Sequence, residues 1–517
     1  MATYLSPGVY MEEVSSGMKP VEGVGTAVAA FVGFAEKGPL NEPILVTNWT
    51  QFAGVFGDFT ESAYLAHAVY GYFLNGGGAA YIVRIPSGRA AGSESGDAVE
   101  PSLARAELPA AGDGRPLTVR AIEAGAGGDG ITVEVHEASE PTEDNFKLVV
   151  KKDGQEEVFD NVSVRRGPSN VVNAVRQSRW ITVEEVRGSA IAMPQKGSTL
   201  QMTGGSNQTV AGIDLEISPA DYVGNAADRT GFAGLETCED VTMLAIPDLI
   251  TAYESELIDD EGFKAVQLAM IAHCELMGDR VAILDPPPGK NAQQIKDWRT
   301  NYAGYDSKYA TLYWPPVKVM NPLDGKAMFM PPSGHVAGAW AETDSTRGVH
   351  KAPANLVLRG VISLENNITR GEHDQLNPIG VNCIRNMGAQ GLRIWGARTL
   401  SSDPEWRYLN VRRLFNYVEK SILNGTNWVV FEPNDALLWQ AVRRNIIMFL
   451  RGLWRSGALF GATPEQAFYV KCDAENNPEE SRDVGVLNID IGIAPVKPAE
   501  FVIFRISQLS QGAELAE

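Results

Sequence analysis

The sequence predicts a multidomain α+β protein, and three observations point to this fold class. The chain has 517 residues, of which 44% are hydrophobic and 21% are charged, a size and balance typical of several packed domains. Buried strands alternate with amphipathic helices before residue 343. A β-rich stretch interrupts that alternation, and long helices follow it. We therefore predict an interrupted α/β domain, a β-rich outer insertion and a helix-rich C-terminal domain.

The α/β domain is predicted to comprise residues 23–85 and 220–343. In the first part, "TAVAAFVGFA" and "AYIVRI" are typical of buried strands, and "ESAYLAHAVYGYFL" has apolar residues at helical spacing. In the second part, "VTMLAIPD", "RVAILDPP" and "YATLYWPPVKV" are strand-like and are separated by helical stretches. This alternation predicts a mainly parallel sheet built from both parts.

Residues 86–219 are predicted to form the insertion. The stretch "FKLVVKKDGQEEVFDNV" predicts a hairpin with Asp153-Gly154 at its turn. Gly125, Gly127 and Gly130 match a Gly-x-Gly-x-x-Gly pattern, but the pattern precedes a strand. A dinucleotide site needs it before a helix, so we expect a turn here.

Residues 344–490 are predicted to form the C-terminal domain. In "SSDPEWRYLNVRRLFNYVEKSIL", Ser402 and Glu405 have capping-box spacing around Pro404, which predicts that the helix begins there. The next helix, 435–456, is apolar over most of its circumference. We therefore expect it to be largely buried.

The C-terminal domain contains a basic block in an otherwise acidic chain. Residues 379–470 contain 11 Lys and Arg against 6 Asp and Glu, whereas the whole chain has a formal charge of −20. Arg444, Arg451 and Arg455 share one predicted helix face with Met448. This face is either a solvated surface or a basic surface for an acidic protein partner.

Composition and motifs exclude several classes of function. The acidic balance argues against nucleic acid as the main partner. The N-terminus has no signal-peptide pattern, and the longest weakly polar run, 24–35, is too short to cross a bilayer. We therefore expect a protein of the cytoplasm with no direct membrane contact. The four cysteines are far apart, which predicts reduced and mostly buried thiols.

Two carboxylates form the strongest enzyme-like feature. Asp248 and Asp285 each follow a predicted strand, where open parallel sheets bind ligands. They could hold a metal ion or serve as acid and base, but aspartate is also common in turns and helix caps. Because no nucleophile motif, phosphate loop or histidine pair accompanies them, we predict no enzymatic activity and no cofactor.

Both ends of the chain contain strands without an obvious local partner. Val9–Val14 is strand-like and is bounded by turn residues on both sides. Near the other end, "LNIDIGI" alternates cleanly, and "FVIFRI" follows a proline-containing loop. A lone strand is unstable in water, and unpaired strand edges invite another chain.

Long stretches of the chain resemble the contractile tail sheath family of phages and bacterial injection systems. They are "YLSPGVYMEEV", "GVGTAVAAFVGFAEKGPLNEPILVTNWTQFAGVFGDF" and "YLAHAVYGYFLNGGGAAYIVR" at the start, with "KAPANLVLRGV", "LNPIGVNCIRNMGAQGLRIWGARTLSSDPEWRYLNVRRLFNYVEKSI", "RGLWRSGALFGATPEQAFYVKCD" and "IDIGIAPVKPAEFVIFRISQ" in the second half. The resemblance is weak in the insertion.

The resemblance implies a structural protein stacked as six-fold rings around an inner tube, with baseplate and terminal cap proteins as further partners. Terminal strands of neighbouring subunits complete a small sheet in the C-terminal domain, and the sheath contracts from a metastable extended state. It is assembled in the cytoplasm into a phage tail-like particle, or into a virion tail if the source is a phage. The sequence does not distinguish these two sources.

The resemblance also implies roles for particular residues. The arms are residues 1–22 and 491–517. The residues expected to take part in strand exchange are Val9, Tyr10, Met11, Glu12, Glu13, Val14, Leu487, Ile489, Ile491, Ile493, Phe501 and Ile503. The candidate hinges are Gly17, Gly23, Gly25, Pro495 and Pro498. The candidate tube-facing residues are Arg412, Arg413, Arg444, Arg451 and Arg455.

Two alternatives remain open from the sequence. One is an α/β hydrolase or metal-dependent enzyme that uses Asp248 and Asp285. The other is a filament or shell protein that does not contract.

Overall fold

The computed structural model describes residues 20–60, 63–86, 89–90, 103–111, 116–124, 128–142, 144–152, 155–165, 167, 169–183, 192–204, 215–322 and 324–504. Some sequence predictions lie outside these residues: the strand at Val9–Val14, the hinge at Gly17, the turn at Asp153-Gly154, and the glycines Gly125 and Gly127.

The chain before the insertion folds as the hydrophobic pattern predicts. Its elements are β1 (Val28–Gly33), β2 (Ile44–Val46), α1 (Trp49–Phe56), α2 (Leu65–Leu74) and β3 (Ala79–Arg84). Every residue of β1 after Val28 is buried, as expected for a central strand of a parallel sheet. Asn48 caps α1 because its side chain accepts a hydrogen bond from the Gln51 backbone N–H.

The insertion has two antiparallel sheets around its own core. Its elements are β4 (Arg89–Ala90), β5 (Leu103–Leu108), β6 (Leu117–Ala124), β7 (Thr132–His136), β8 (Asn145–Lys152), β9 (Gln155–Ser163), α3 (Val171–Val175), β10 (Ile181–Val183), β11 (Thr199–Gln201) and β12 (Leu215–Glu216). The sheet orders are β10-β6-β5 and β11-β7-β8-β9. Strands β8 and β9 pair as the predicted hairpin. Strands β4 and β12 pair antiparallel, so the chain enters and leaves the insertion side by side.

The chain after the insertion returns to alternating helices and strands. Its elements are α4 (Pro219–Val223), β13 (Met243–Ala245), α5 (Asp248–Glu254), α6 (Asp260–Met277), β14 (Val281–Leu284), α7 (Ala292–Asp297), β15 (Ala310–Trp314), β16 (Val317–Met320), β17 (Ala327–Met330), α8 (Ser333–Arg347), β18 (Val361–Leu364), α9 (Arg370–Leu376), β19 (Val381–Asn386) and β20 (Leu392–Ile394). A π-helical turn at Trp298–Ala303 follows α7.

The central sheet joins strands from both sides of the insertion. Its order is β2-β3-β1-β13-β14-β15-β19-β20, and the pairs from β3 to β19 are parallel. Only the edge strands β2 and β20 pair antiparallel within this sheet. Successive residues of β1 point into different cores, since Ala30 and Val32 lie in one buried cluster and Ala29 and Phe31 in the other. The prediction of a mainly parallel sheet is confirmed.

The structure differs from the sequence prediction in two parts of this region. Strands β19 and β20 belong to the central sheet although they follow the predicted boundary at residue 343. The partner of β19 is β15, a long-range pairing that local patterns do not reveal. The stretch "YATLYWPPVKV" forms two strands because Pro315 and Pro316 interrupt it. The second of them, β16, lies in a separate sheet between β17 and β18.

The C-terminal part packs two long helices over a two-stranded sheet. Its elements are α10 (Leu409–Thr426), α11 (Ala436–Arg455), α12 (Pro464–Ala467), β21 (Phe468–Lys471), α13 (Glu479–Asp483) and β22 (Asp490–Ile493). The predicted start of the first helix is wrong, because α10 begins at Leu409. The Ser402 hydroxyl donates to Asp306, and the Glu405 N–H donates to Asp403, so this stretch is a local turn held to the central domain.

Candidate functional site

The small sheet of the C-terminal part has open edges. Strands β21 and β22 pair antiparallel from Phe468↔Ile493 to Lys471↔Asp490. Within the described residues no third strand joins this sheet. Each strand therefore has one edge whose backbone groups are free to pair with a further strand.

Four of the predicted exchange residues pack within their own subunit, and their part in exchange between subunits stays a prediction. Leu487, Ile489, Ile491 and Ile493 are partly buried against the C-terminal hydrophobic core. The expectation that local partners do not satisfy this strand is wrong, because β22 pairs with β21 of the same chain. Helix α13 separates β21 from β22 in the chain. The two strands are therefore not joined by a short turn, and no hairpin pattern in the sequence indicates that they pair.

Residues 501–504, which the sequence predicts to be a strand, form an exposed apolar segment that we call the C-terminal arm (Phe501–Phe504). The exposed fractions are 72% for Phe501, 68% for Val502, 78% for Ile503 and 83% for Phe504. Side chains of a strand point alternately to opposite faces, so both faces of this arm are apolar. The predicted exchange residues do not include Val502 and Phe504, although an uninterrupted apolar run is the pattern of a strand buried on both faces.

Two of the candidate hinges, Gly23 and Pro495, are held by contacts in this subunit. A Cβ added at Gly23 would lie 2.0 Å from the Tyr417 hydroxyl oxygen, so glycine allows close packing against α10. Pro495 forms an isolated antiparallel β-bridge with Leu459. Gly25 has open space around its Cα and no left-handed backbone. Flexing at Gly23 or Pro495 would require these contacts to break.

Helix α11 presents an exposed basic face. Arg444, Arg451 and Arg455 are exposed, and Met448 between them is 52% exposed. Leu437, near the start of the helix, is 75% exposed. The prediction that this helix is largely buried is therefore wrong for the single subunit: one face packs on the core and the other carries these side chains.

Arg412 and Arg413 do not share this exposure, so their assignment as tube-facing residues is wrong. Arg412 is 2% exposed, and its guanidinium donates to Asn416 and Glu419. Arg413 is 4% exposed and pairs with Asp344. Both arginines lie beside the apolar stripe of α10, on a face that packs against the central domain.

The two candidate catalytic carboxylates are buried structural groups. Asp248 is fully buried and accepts hydrogen bonds from the backbone N–H groups of Phe34, Tyr64 and Leu65, so it joins α5 to the end of β1 and the start of α2. Asp285 is 6% exposed and accepts from the Ser333 backbone N–H. Burial raises the pKa of Asp285 to about 7.

The described residues provide no other sign of catalytic chemistry. Within them, no group of three or more His, Cys, Asp or Glu side chains could hold a metal ion. A cavity of about 290 Å³ lies between residues 24–26 and α10. The charged groups that line it are engaged with each other or with neighbours, as in the contact of Lys420 with Asp279. All four cysteines are free and buried, as predicted.

Comparison with known proteins identifies the family. The model of the phage tail sheath protein central domain matches residues 238–400, and that of the phage tail sheath C-terminal domain matches residues 401–508. The chain belongs to the phage tail sheath family.

Curated sheath proteins match over different lengths. The tail sheath protein of Burkholderia phage BcepMu is 24% identical over 99% of this chain and 98% of its own length. That of Vibrio phage KVP40 is 27% identical over 48% of this chain and 35% of its own length. A prophage major tail sheath protein of Pseudomonas aeruginosa is 27% identical, with 58% of its length matched. Some sheath relatives are thus matched over much less than two thirds of their length.

Solved sheath structures share this fold. The helical sheath of the anti-feeding prophage in its contracted state superposes with a TM-score of 0.59 at 23% identity, covering 98% of this chain and all of the other. The sheath of an extracellular contractile injection system in its contracted state gives 0.58 at 22% identity, covering 98% of this chain and 99% of the other. A sheath tail protein from Listeria innocua gives 0.61 at 13% identity, covering 93% and 94%. Among the described residues, no helix is long and apolar enough to span a membrane.

Proposed function

We propose that this chain is the sheath subunit of a contractile injection apparatus, in a phage tail or a phage tail-like particle. The observation that carries the proposal is the presence of both an exposed apolar C-terminal arm and a two-stranded sheet with open edges in a chain of the sheath family. An arm that is apolar on both faces needs a partner to remove it from water. A sheet with open edges offers such a partner in another subunit.

The subunits are linked by exchanged strands. In this arrangement, Phe501 and Ile503 of one subunit and Val9–Val14 of another add to the edges of β21 and β22 in a third. Each added backbone hydrogen bond contributes on the order of 1 kcal/mol net, and each subunit is held by several arms. Six-fold rings stacked into a helical tube repeat these links along the sheath.

The basic face of α11 is directed at the inner tube. Arg444, Arg451 and Arg455 provide charge for an acidic partner, and the exposed Met448 supplies apolar contact between them. Arginine and exposed apolar side chains together are typical of protein-binding surfaces. Baseplate and terminal cap proteins contact the ends of the sheath; a related anti-feeding prophage protein was solved in a baseplate.

Contraction is a change of packing between rigid subunit bodies that stay joined by their arms. The energy is stored at assembly as the difference between two arrangements of the same chains, so no nucleotide or cofactor is needed. The particle is assembled in the bacterial cytoplasm.

Deletion of residues 1–15 tests this function. The truncated subunit should remain soluble and folded, as judged by its circular dichroism, but form no extended sheath in electron micrographs. Tyr10→Pro or Met11→Pro should shorten the tubes, whereas Ser16→Pro, outside the strand, is the matched control and should leave them unchanged. Normal assembly of the truncated subunit would contradict the strand-exchange model. For the wild-type protein, discrete particles instead of tubes would favour the enzyme alternative, and a single ring spacing under all conditions would favour a filament that does not contract.

A further inference from the structure

The carboxylate of Glu500 is enclosed by hydrogen-bond donors directly before the C-terminal arm. Arg398 donates to it through Nε and Nη2, at 2.9 and 2.6 Å. Asn377 Nδ2 donates at 2.8 Å and the Tyr408 hydroxyl at 3.2 Å. We call these four side chains the Glu500 clamp.

The clamp holds its carboxylate in the charged form. Burial alone would raise the pKa of Glu500, but the hydrogen bonds from Arg398 and Asn377 outweigh burial and lower that pKa. The guanidinium contacts both carboxylate oxygens, which is the strong and directional arrangement of an Arg–carboxylate pair. Arg398 itself is 7% exposed, so water competes little for this contact.

Arg398 connects the clamp to the central sheet. Its backbone N–H donates to Asn382 Oδ1 at 2.7 Å, and its carbonyl accepts from Asn382 Nδ2 at 2.8 Å. Asn382 lies on β19 and is fully buried. A continuous set of hydrogen bonds therefore runs from Glu500 to a strand of the rigid central sheet.

The residues before the clamp are also fixed. The Ala494 N–H donates to the Ala467 carbonyl, and the Val496 N–H donates to the Ala458 carbonyl. Asn410 donates from its side chain to the Val496 carbonyl. The chain is thus tied down up to Glu500, and the next four residues are 68–83% exposed.

We propose that the Glu500 clamp fixes the point at which the C-terminal arm leaves its subunit, so that force on an exchanged arm passes through Arg398 into the central sheet. This proposal rests on the exchange of that arm under the proposed function. It places the flexible joint after Glu500, not at the predicted hinges Pro495 and Pro498. The length of arm available to a neighbour is then set by Glu500.

Hydrogen exchange in the soluble subunit tests the clamp without requiring assembly. Glu500→Gln keeps the shape of the side chain but removes its charge, and should increase amide exchange in residues 494–500 at least tenfold. Glu500→Asp, charged but shorter, should give an intermediate increase. Arg398→Lys keeps the positive charge but loses the two-point contact, and should resemble Glu500→Gln. Glu405→Gln, at an exposed glutamate, is the matched control and should change nothing.

Electron microscopy of the same variants tests the role of the clamp in the sheath. Glu500→Gln should yield fewer or shorter extended sheaths, although circular dichroism still shows a folded subunit. If exchange in residues 494–500 is unaffected, or if it increases while tube length stays the same, the proposal is overturned. If Glu500→Gln does not fold, Arg398→Lys provides the same two readouts.

A companion variant separates this proposal from the proposed function. Phe501→Asp with Ile503→Asp leaves the clamp intact and makes the arm polar. If that variant assembles normally, the proposed exchange of the arm is wrong. The clamp proposal is then wrong as well, because it rests on that exchange. If it fails to assemble while Glu500→Gln assembles like wild type, only the clamp proposal is overturned.

Discussion

Arg413 and Asp344 form an ion pair in which both side chains are only 3% exposed. The two parallel contacts are 2.9 and 2.5 Å long and join α10 of the C-terminal part to α8 of the central domain. The same guanidinium donates to the Thr26 carbonyl and lies over the Trp340 ring at 4.8 Å. Arg413 is therefore a structural joint between three segments of the subunit and carries no free charge for a partner.

Arg413→Met should lower the free energy of unfolding of the subunit by about 3–5 kcal/mol, because it leaves Asp344 buried and unpaired. Adding Asp344→Leu should recover part of the loss, since the remaining charge is then removed. Lys471→Met is the control. Its partner Glu475 is 80% exposed, and we expect a loss below about 1 kcal/mol. Chemical denaturation of the soluble subunit measures all three, and equal losses for the buried and exposed pairs would contradict the structural role.

Reversal of the α11 face should separate tube binding from folding. Arg444→Glu, Arg451→Glu and Arg455→Glu together should leave the soluble subunit folded but reduce its co-assembly with the inner tube, most strongly at low salt, where charge attraction is least screened. Co-sedimentation with purified tube measures this. A triple reversal at Lys196, Lys326 and Arg370, exposed on other elements, is the control. Equal co-assembly of both triple variants at every salt concentration would show that the α11 face is only solvated.

Removal of the insertion should leave the rest of the subunit folded. The insertion has its own hydrophobic core, and its entering and leaving strands lie side by side, with Ala90 opposite Leu215. A short Gly/Ser linker in place of residues 86–219 should therefore span the gap without strain. Circular dichroism should show a folded subunit, and electron microscopy should show tubes. Folded subunits that form no tubes would mean that the insertion makes essential contacts between subunits.

Asp285 should make the subunit less stable as pH rises through the acidic range. An unfolded aspartate ionises near pH 4, whereas burial raises the pKa of Asp285 in the native state to about 7. The native state thus holds an extra proton between about pH 4 and 7, and stability falls across that window by at most about 1.4 kcal/mol per pH unit. Asp285→Asn should flatten this slope and be more stable than wild type at pH 8.

Two comparisons complete the pH experiment. Asp324→Asn, at a solvated turn, should leave the slope unchanged. Asp248, whose pKa burial raises to about 6, should account for a residual slope below that pH in Asp285→Asn. An identical pH profile for wild type and Asp285→Asn would show that Asp285 is ionised in the native state throughout.

The local elements and the family can be predicted from the sequence alone, because hydrophobic periodicity and turn residues act over short distances. The strands of the central sheet, the β8–β9 hairpin and the burial of the cysteines follow from such patterns. The position of Arg444, Arg451 and Arg455 on one helix face also follows from helical spacing, whereas the exposure of that face does not. The apolar run at Phe501–Phe504 can also be recognised in the sequence.

Which charged side chains are available to partners, and where the chain is held, depends on tertiary packing. Arg412 and Arg413 have the same local pattern as a solvated helix face, but α8 and the central domain cover them. The contact of Ser402 with Asp306 holds the turn before α10, and β22 pairs with a strand that ends 19 residues before it and packs on α11. The Glu500 clamp brings together residues 377, 398, 408 and 500. Contacts at such separations depend on how the elements pack, so no local sequence pattern encodes them.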